Sequence, residues 1–526
     1  MTSSIKEKKE RVKQTVSNYI KRILCLLLGK KQPTITTADK ANFLLQDGIF
    51  LDLNAQIDKY PFRSLFCLDR IKGKYFTIKN DKKIKLFNFS SNDYLNLSRC
   101  PKIYKFANST AKKYGTGSGG SRLIGGNMSY YSEVENDFAD FFGYESSLLF
   151  GSGTLCNMGV ISSIATPDDV CVIDKLSHSS IINGVNLSGA KMLRFLHSDV
   201  ASLEEKLKQA IDLLGITLSK KSKKSNIKYK KNTHDSNDSG NNGKIFVITE
   251  SIFSIGGDIA PLEAILKICN KYNAFFVVDE SHSIGVSGEN GRGVCDQLQI
   301  KPYIITASLG KAFASSGGIC FCSSYIKTAL INLSKQFIFT TAPSPHSVAV
   351  AHGVLNRIKK NNPICEYTQK WQFFSNRVIK DLLEEIDYGA GLTVKTVHHN
   401  CNKNISLIDQ KYDANNSQLS QPVQILPWGL SVFKNSNTSG ADKCAICTIN
   451  PVLSQIMPIL LKSEELALKI ADDLINNNIY VKAIRYPAVS KEKPCIRISI
   501  SNAYTEKQLT KISKVIVKVI IANITP

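Results

Sequence analysis

Residues 274–311 read AFFVVDESHSIGVSGENGRGVCDQLQIKPYIITASLGK, and the rest of the chain is read outward from them. Two apolar, β-branched runs each stop at a polar cluster. The first ends at Asp279 with His282 just beyond it, and the second ends at Ser308, three residues before Lys311. Strands buried on both faces of a parallel sheet read as continuous apolar runs. Ligands of such sheets sit beyond the carboxyl ends of the strands. Asp279, His282, Ser308 and Lys311 are therefore expected to converge at one sheet edge.

An Asp and a Lys presented together in this way suit a pyridoxal phosphate (PLP) site. The Lys forms a Schiff base with the cofactor aldehyde, and the Asp holds the pyridine nitrogen protonated, which turns the ring into an electron sink. Either residue alone fits a blander role equally well, Asp279 as a strand-end cap and Lys311 as a surface lysine after a Gly turn. The company of further motifs favours the chemical reading.

The chain has 526 residues, enough for two or three domains, and its 43% apolar and 21% charged residues are those of a globular protein. Its 14 Cys are scattered, which reads as reduced thiols and a cytoplasmic protein. Cys444 and Cys447 form a lone C-x-x-C without a second pair or a nearby His, so no metal site is expected. The net charge of +23 is localised: residues 1–31 carry nine Lys or Arg against Glu7 and Glu10, and residues 219–232 carry seven Lys and no acid. Neither stretch interleaves aromatics as a single-strand groove does, so nucleic acid is not an expected partner. The apolar run ILCLLLG near the N-terminus is too short to span a bilayer, and no integral membrane segment is expected. It reads as part of a basic N-terminal helix.

Going outward, residues 74–95 (KYFTIKNDKKIKLFNFSSNDYL) hold two alternating runs around a hairpin turn. GTGSGGSRLIGG at 115–126 matches G-x-G-x-x-G but follows a helix-like segment rather than a strand, so it is not a dinucleotide fingerprint. Its glycines allow close backbone approach to a ligand or another subunit. ESSLLFGSGTLCNMGVISSI at 145–164 is strand, Gly turn and helix, and places backbone N–H groups of the 151–154 turn at a helix N-terminus, a natural phosphate seat. Two more strands end at His178 and at Glu250 with Ser254 beyond. Strand–helix alternation of this kind indicates an α/β domain with a mostly parallel central sheet. Residues 219–243 and 399–440 are polar and low in complexity and read as surface insertions, the second around one apolar patch, VQILPWGLSVF. From Gln455 the pattern is that of a smaller α+β domain. The expected division is 1–90 (helix and small β segment), 91–345 (large domain) and 346–526 (C-terminal α+β domain).

Taken together, NFSSNDYLNLS (88–98), GTGSGGSRLIGG, DKLSHSS (174–180), ITESIFSIGGD (248–258), VVDESHSIGVSGENGRG (277–293), SLGKAF (308–313) and AIRYPAV (483–489) resemble the α-oxoamine synthases, PLP-dependent transferases of fold type I. The likeness spans most of the chain outside the two insertions. It is nearest to the branch that condenses L-alanine with a pimeloyl thioester on the way to biotin.

The resemblance implies that Lys311 carries the cofactor, Asp279 pairs with the pyridine nitrogen, His282 with the phenolic oxygen, and His178 stacks on the ring. It also implies cofactor contacts from Gly153, Thr154, Ser254 and Ser308, and from Thr340 and Thr341 across the interface of a homodimer. Arg497 and Asn92 are implied for the substrate, Arg497 at its carboxylate. Arg63 and Ala488 are implied for the acyl donor. Ser308 keeps the hydroxyl of the family's usual Thr, Ala488 lacks the hydroxyl of another, and Thr154 replaces an aromatic. Sister activities that use glycine or serine remain alternatives, as does a non-catalytic subunit of the same fold.

Overall fold

Four neighbouring strands of one sheet finish on polar residues that line up at a common edge. They are Val170–Asp174, Ile245–Glu250, Phe275–Asp279 and Ile304–Ser308, parallel to one another. Their sequences VCVID, IFVITE, FFVVD and IITAS are buried almost throughout, as strands covered by helices on both faces must be. The full seven-stranded sheet runs Ser146–Phe150, Gly318–Cys322, Ile304–Ser308, Phe275–Asp279, Ile245–Glu250, Val170–Asp174, Lys191–Phe195. Gly318–Cys322 is antiparallel to both of its neighbours, so the mostly parallel sheet carries one reversed strand.

The computed structural model describes residues 65–525, apart from 72–73, 80–81, 216–242, 388–391, 399–427, 435–446 and 450–452. The residues from Cys67 onward cluster as one unit. The basic N-terminal stretch, Arg63, the lysine-rich segment 219–232 and Cys444 lie outside the described residues. Among the described residues no helix is long and apolar enough to cross a membrane.

A second sheet of six strands, antiparallel throughout, is formed by Leu392–His398, Trp428–Lys434, Cys447–Ile449, Ile456–Leu461, Cys495–Ser499 and Lys482–Ile484 in that order. It gives the C-terminal α+β region expected from sequence, with two corrections. The end of the apolar patch at 399–440 is not insertion but the strand Trp428–Lys434, paired on both sides. Its alternation of apolar and small polar residues, WGLSVFK, is strand-like, and the surrounding Asn and Ser obscured it. The run YVKAIRYP likewise holds two short strands rather than one. Ile479–Tyr480 pairs in parallel with Lys82–Asn88, and Lys482–Ile484 pairs with Cys495–Ser499. The hairpin Lys74–Lys79/Lys82–Asn88 is present as read.

The strand-edge acids need compensation, and His197 supplies some of it. This residue follows Lys191–Phe195 and stands between two carboxylates, Nδ1 at 3.0 Å from Asp174 and Nε2 at 2.7 Å from Asp258. Both ring nitrogens can donate only if the ring is an imidazolium. Burial works against the charge, but the hydrogen bonds and charges of Asp174 and Asp258 outweigh it and raise the ring from its ordinary 6.5 to about 10.

A raised histidine stabilises the fold fully below its unfolded value and progressively less as pH climbs to the folded one. We expect His197→Asn to cost about 2–4 kcal/mol near pH 6 and less than half of that at about pH 9.5, by urea denaturation of both proteins at each pH. A cost independent of pH would contradict the imidazolium assignment.

Candidate active site

A cavity of ≈ 340 Å³ opens at the aligned strand ends, lined by Gly151–Thr154, Asn157, His178, Glu250, Asp279, His282, Ser308 and Lys311 among others. Its floor is Asp279, buried at the end of its strand. One carboxylate oxygen accepts from Asn157 Nδ2 at 2.6 Å and the other from the Ser281 N–H at 2.8 Å. Asn157 is held in turn: its Oδ1 accepts from Thr306 Oγ1 at 2.5 Å, and its Nδ2 also reaches Ser180 Oγ at 2.9 Å. The carboxylate therefore has a fixed direction before any ligand arrives.

Lys311 stands at the opposite side of the chemistry. Its Nζ lies 2.7 Å from His282 Nε2. Burial holds its ammonium below the usual lysine range, with Asp279 and Glu250 pulling the other way. A partly neutral amine is what a lysine needs to attack a carbonyl or to take a proton. His282 is buried, and burial with the Lys311 and Arg497 charges pushes its ring well below the ordinary histidine value. As a neutral ring that accepts at Nε2, it donates from Nδ1 to Tyr94 Oη at 2.7 Å. Tyr94 Oη donates to Asn92 Oδ1 at 3.2 Å. One hydrogen-bonded chain thus runs Lys311–His282–Tyr94–Asn92.

His178 caps the helix Ser179–Ser188, its Nδ1 2.7 Å from Ser180 Oγ. Its backbone N–H donates to Glu250 Oε1 at 2.7 Å. Burial lowers the His178 ring, which leaves it neutral and free to lie flat against an aromatic ligand. Glu250, level with Asp279 on the neighbouring strand, is raised by burial and by the Asp279 charge. Two carboxyls side by side at a buried edge cannot both ionise cheaply.

On the far wall, Ser152 caps the helix Gly153–Ile164 by accepting from the Leu155 N–H at 3.1 Å. Gly153 and Thr154 of that first turn line the cavity together with Ser308. Gly153 is required there, because a Cβ would sit 2.7 Å from the Ser308 Cβ.

The structure brings together around this cavity Lys311, Asp279, His178, His282, Ser308, Gly153 and Thr154. Asn92, Arg497 and Ser254 form an adjoining group. Arg497 Nε donates to the Ser254 carbonyl at 2.6 Å, Nη1 to Ser499 Oγ at 2.7 Å and Nη2 to Asn92 Oδ1 at 3.2 Å. Three of the five guanidinium N–H groups are thereby held, and the Tyr94 hydroxyl also interacts with the group. Ser254 takes part through its carbonyl.

Thr340, Thr341 and Ala488 are not among the cavity-lining residues. The Thr pair sits where Ala342 N–H donates to the Gly120 carbonyl at 3.0 Å, beside the glycine-rich loop. Ala488 is exposed after Tyr486–Pro487. Asn157, Tyr94 and the role of Glu250 were missed from sequence. Asn157 lies in a helix interior with no local signal, and only the fold carries it to Asp279.

The family profile for aminotransferase class I and II matches residues 84–400. The chain belongs to the class I and II aminotransferase family. An 8-amino-7-oxononanoate synthase of Lysinibacillus sphaericus is 36% identical over 288 residues, 54% of this chain and 66% of that one. The enzyme of that name from Photobacterium profundum is 27% identical over 468 residues, 89% of this chain and 95% of that one. Among solved structures, a serine palmitoyltransferase from S. paucimobilis aligns at TM-score 0.65 and 20% identity, over 91% of this chain and 98% of that one. The 8-amino-7-oxononanoate synthase of Francisella tularensis aligns at 0.55 and 24%, over 82% and 97%. At these identities the structural likenesses show the fold.

This class I and II aminotransferase family member uses pyridoxal phosphate, and its relatives place it among the PLP-dependent acyltransferases. The donor set fits the cofactor: an amine for its aldehyde, a carboxylate for its ring nitrogen, a neutral ring for its face and a helix N-terminus for its phosphate. We expect Lys311→Ala to abolish turnover and the visible absorbance of bound cofactor while keeping the melting temperature within a few degrees. It removes a buried amine whose desolvation opposes folding. A variant that keeps both the absorbance and turnover would contradict the role of Lys311.

Proposed function

We propose that the protein condenses L-alanine with a pimeloyl thioester, on CoA or a carrier protein, releasing the thiol and CO₂ and forming 8-amino-7-oxononanoate for biotin synthesis. The observation that carries this reading is the relationship to proteins named 8-amino-7-oxononanoate synthase, one of them along nearly the whole chain.

Pyridoxal phosphate, when bound, supplies a sink for the electron pair left at the amino acid α-carbon. Lys311 tethers the cofactor and, once displaced by the substrate amine, takes and returns the α-proton at Nζ as a positioned base. His282 orients that amine. Asp279, fixed by Asn157 and Ser281, serves the pyridine nitrogen, and the neutral His178 ring excludes water from one face. The first turn of Gly153–Ile164 and Ser308 hold the phosphate. Arg497 and Asn92 hold the carboxylate that is later lost as CO₂, and Arg63 and Ala488 are assigned to the acyl chain.

The reading includes a homodimer. Leu123 and Ile124 on the glycine-rich loop and Phe339 beside it are exposed at 51%, 88% and 80%. Loop and segment are joined by Ser118 Oγ, which donates to the Ala342 carbonyl at 2.8 Å. A second copy seated on this apolar surface would bring Thr340 and Thr341 to the neighbouring site.

A second reading, a serine palmitoyltransferase-like activity, is favoured by the coverage and TM-score of that enzyme's structures. Thiol release from pimeloyl, palmitoyl, succinyl and acetyl thioesters, each with alanine, glycine and serine, separates the two. We expect alanine with the pimeloyl donor to be fastest. Some turnover of glycine is compatible with this, because one methyl group discriminates by only about 1–3 kcal/mol. Serine with the palmitoyl donor as the best pair would replace the first reading by the second.

A further inference from the structure

We propose that His197 is a positioning residue for amino acid recognition: clamped between Asp174 and Asp258, it fixes the turn whose Ser254 carbonyl aims Arg497 at the substrate carboxylate. The inference rests on the reading of Arg497 as the carboxylate site, and it concerns residues that touch neither cofactor nor substrate.

The anchored end of the clamp is rigid. Asp174 terminates a strand that is paired on both sides, one in from the edge of the large sheet, and is 1% exposed. Besides His197 it accepts from the Leu176 and Ser198 N–H groups at 2.7 and 2.9 Å, so its position is set by the backbone on both sides. His197 is further seated edge-on against Phe253, ring centroids 4.4 Å apart. Its other nitrogen reaches Asp258, which closes the turn 253–258. The Phe253 N–H donates to the Asp258 carbonyl at 3.0 Å, and the Gly257 N–H donates to the Phe253 carbonyl at 2.9 Å. His197 therefore grips this turn twice, at its first residue through the ring contact and at its last through the ion pair.

The gripped turn lies against the C-terminal sheet. The Gly257 carbonyl accepts from Ser454 Oγ at 2.6 Å. Gly257, at φ +68°, approaches Ile456 so closely that a Cβ would lie 2.3 Å from the Ile456 carbonyl oxygen. The strand Ile456–Leu461 pairs directly with Cys495–Ser499, which carries Arg497. Within the turn, the Ser254 carbonyl takes the Arg497 Nε proton at 2.6 Å. That bond fixes the plane of the guanidinium and so the direction in which its N–H groups point. A planar fork discriminates carboxylates only when its plane is set. Without the cation at 197, the turn keeps its backbone bonds and its continuity with Ile245–Glu250 but loses the side-chain tether that holds its far end, Asp258, to Asp174.

The test is equilibrium binding to the holoenzyme, by calorimetry, of L-alanine, glycine and L-serine, each against the amino alcohol or amine that lacks its carboxylate. The variants are His197→Asn, Asp258→Asn, which preserves the side-chain shape, and Arg497→Lys as a control. We expect both clamp variants to raise the dissociation constants of the carboxylate ligands about ten-fold while those of their carboxylate-free partners change less than about two-fold. A merely structural loss would weaken both classes alike and would overturn the inference. A carboxylate preference lost in Arg497→Lys yet intact in both clamp variants would also overturn it, and would leave the reading of Arg497 standing. A preference absent from the parent enzyme, or unaffected by Arg497→Lys, would overturn the reading of Arg497 and the inference with it.

Discussion

A buried lysine amine facing carboxyl groups at adjacent strand ends is the constraint on which the site depends. Burial disfavours the ammonium of Lys311, while Asp279 and Glu250 favour it. The balance leaves an amine that can be either neutral or charged near physiological pH. It exists only because parallel pairing sets Glu250 level with Asp279 and ends Ile304–Ser308 one strand away. A one-residue slip in either acid-bearing strand would turn its acid to the opposite face of the sheet.

The rest of the molecule holds that edge still. The N-terminal segment and the C-terminal sheet meet it through backbone bonds: the Ser499 N–H donates to the Phe89 carbonyl at 2.7 Å and the Asn502 N–H to the Tyr94 carbonyl at 2.7 Å. The Gln455 amide donates to the His282 carbonyl at 2.7 Å. Tyr94, fully buried, therefore stands where three distant pieces of sequence converge on the His282–Lys311 pair. The hydrogen-bonded chain from Lys311 to Asn92 links the amine proposed to move the proton to the group proposed to hold the substrate carboxylate.

Much of this was legible in the sequence, for definite reasons. The strands announced themselves because residues buried on both faces must be continuously apolar, and their ends because the first polar residue marks the sheet edge. Asp279 and Lys311 were visible for that reason. Asn157 was not, since a polar residue in a largely apolar helix says nothing about what lies across from it. Tyr94 looked like one more aromatic anchor. The strand Trp428–Lys434 was hidden by the polar sequence around it. The grouping of Arg497 with Ser254 and Asn92 needed a turn, a strand and a loop separated by hundreds of residues, and only the motif likeness suggested its parts.

The most direct measurement of the central claim is borohydride reduction of the enzyme in the presence of pyridoxal phosphate, followed by peptide mapping by mass spectrometry. The account predicts one stoichiometric pyridoxyl adduct, on Lys311, even though the chain offers many more exposed lysines. A stoichiometric adduct on a different lysine, or none above the background of surface labelling, would contradict it.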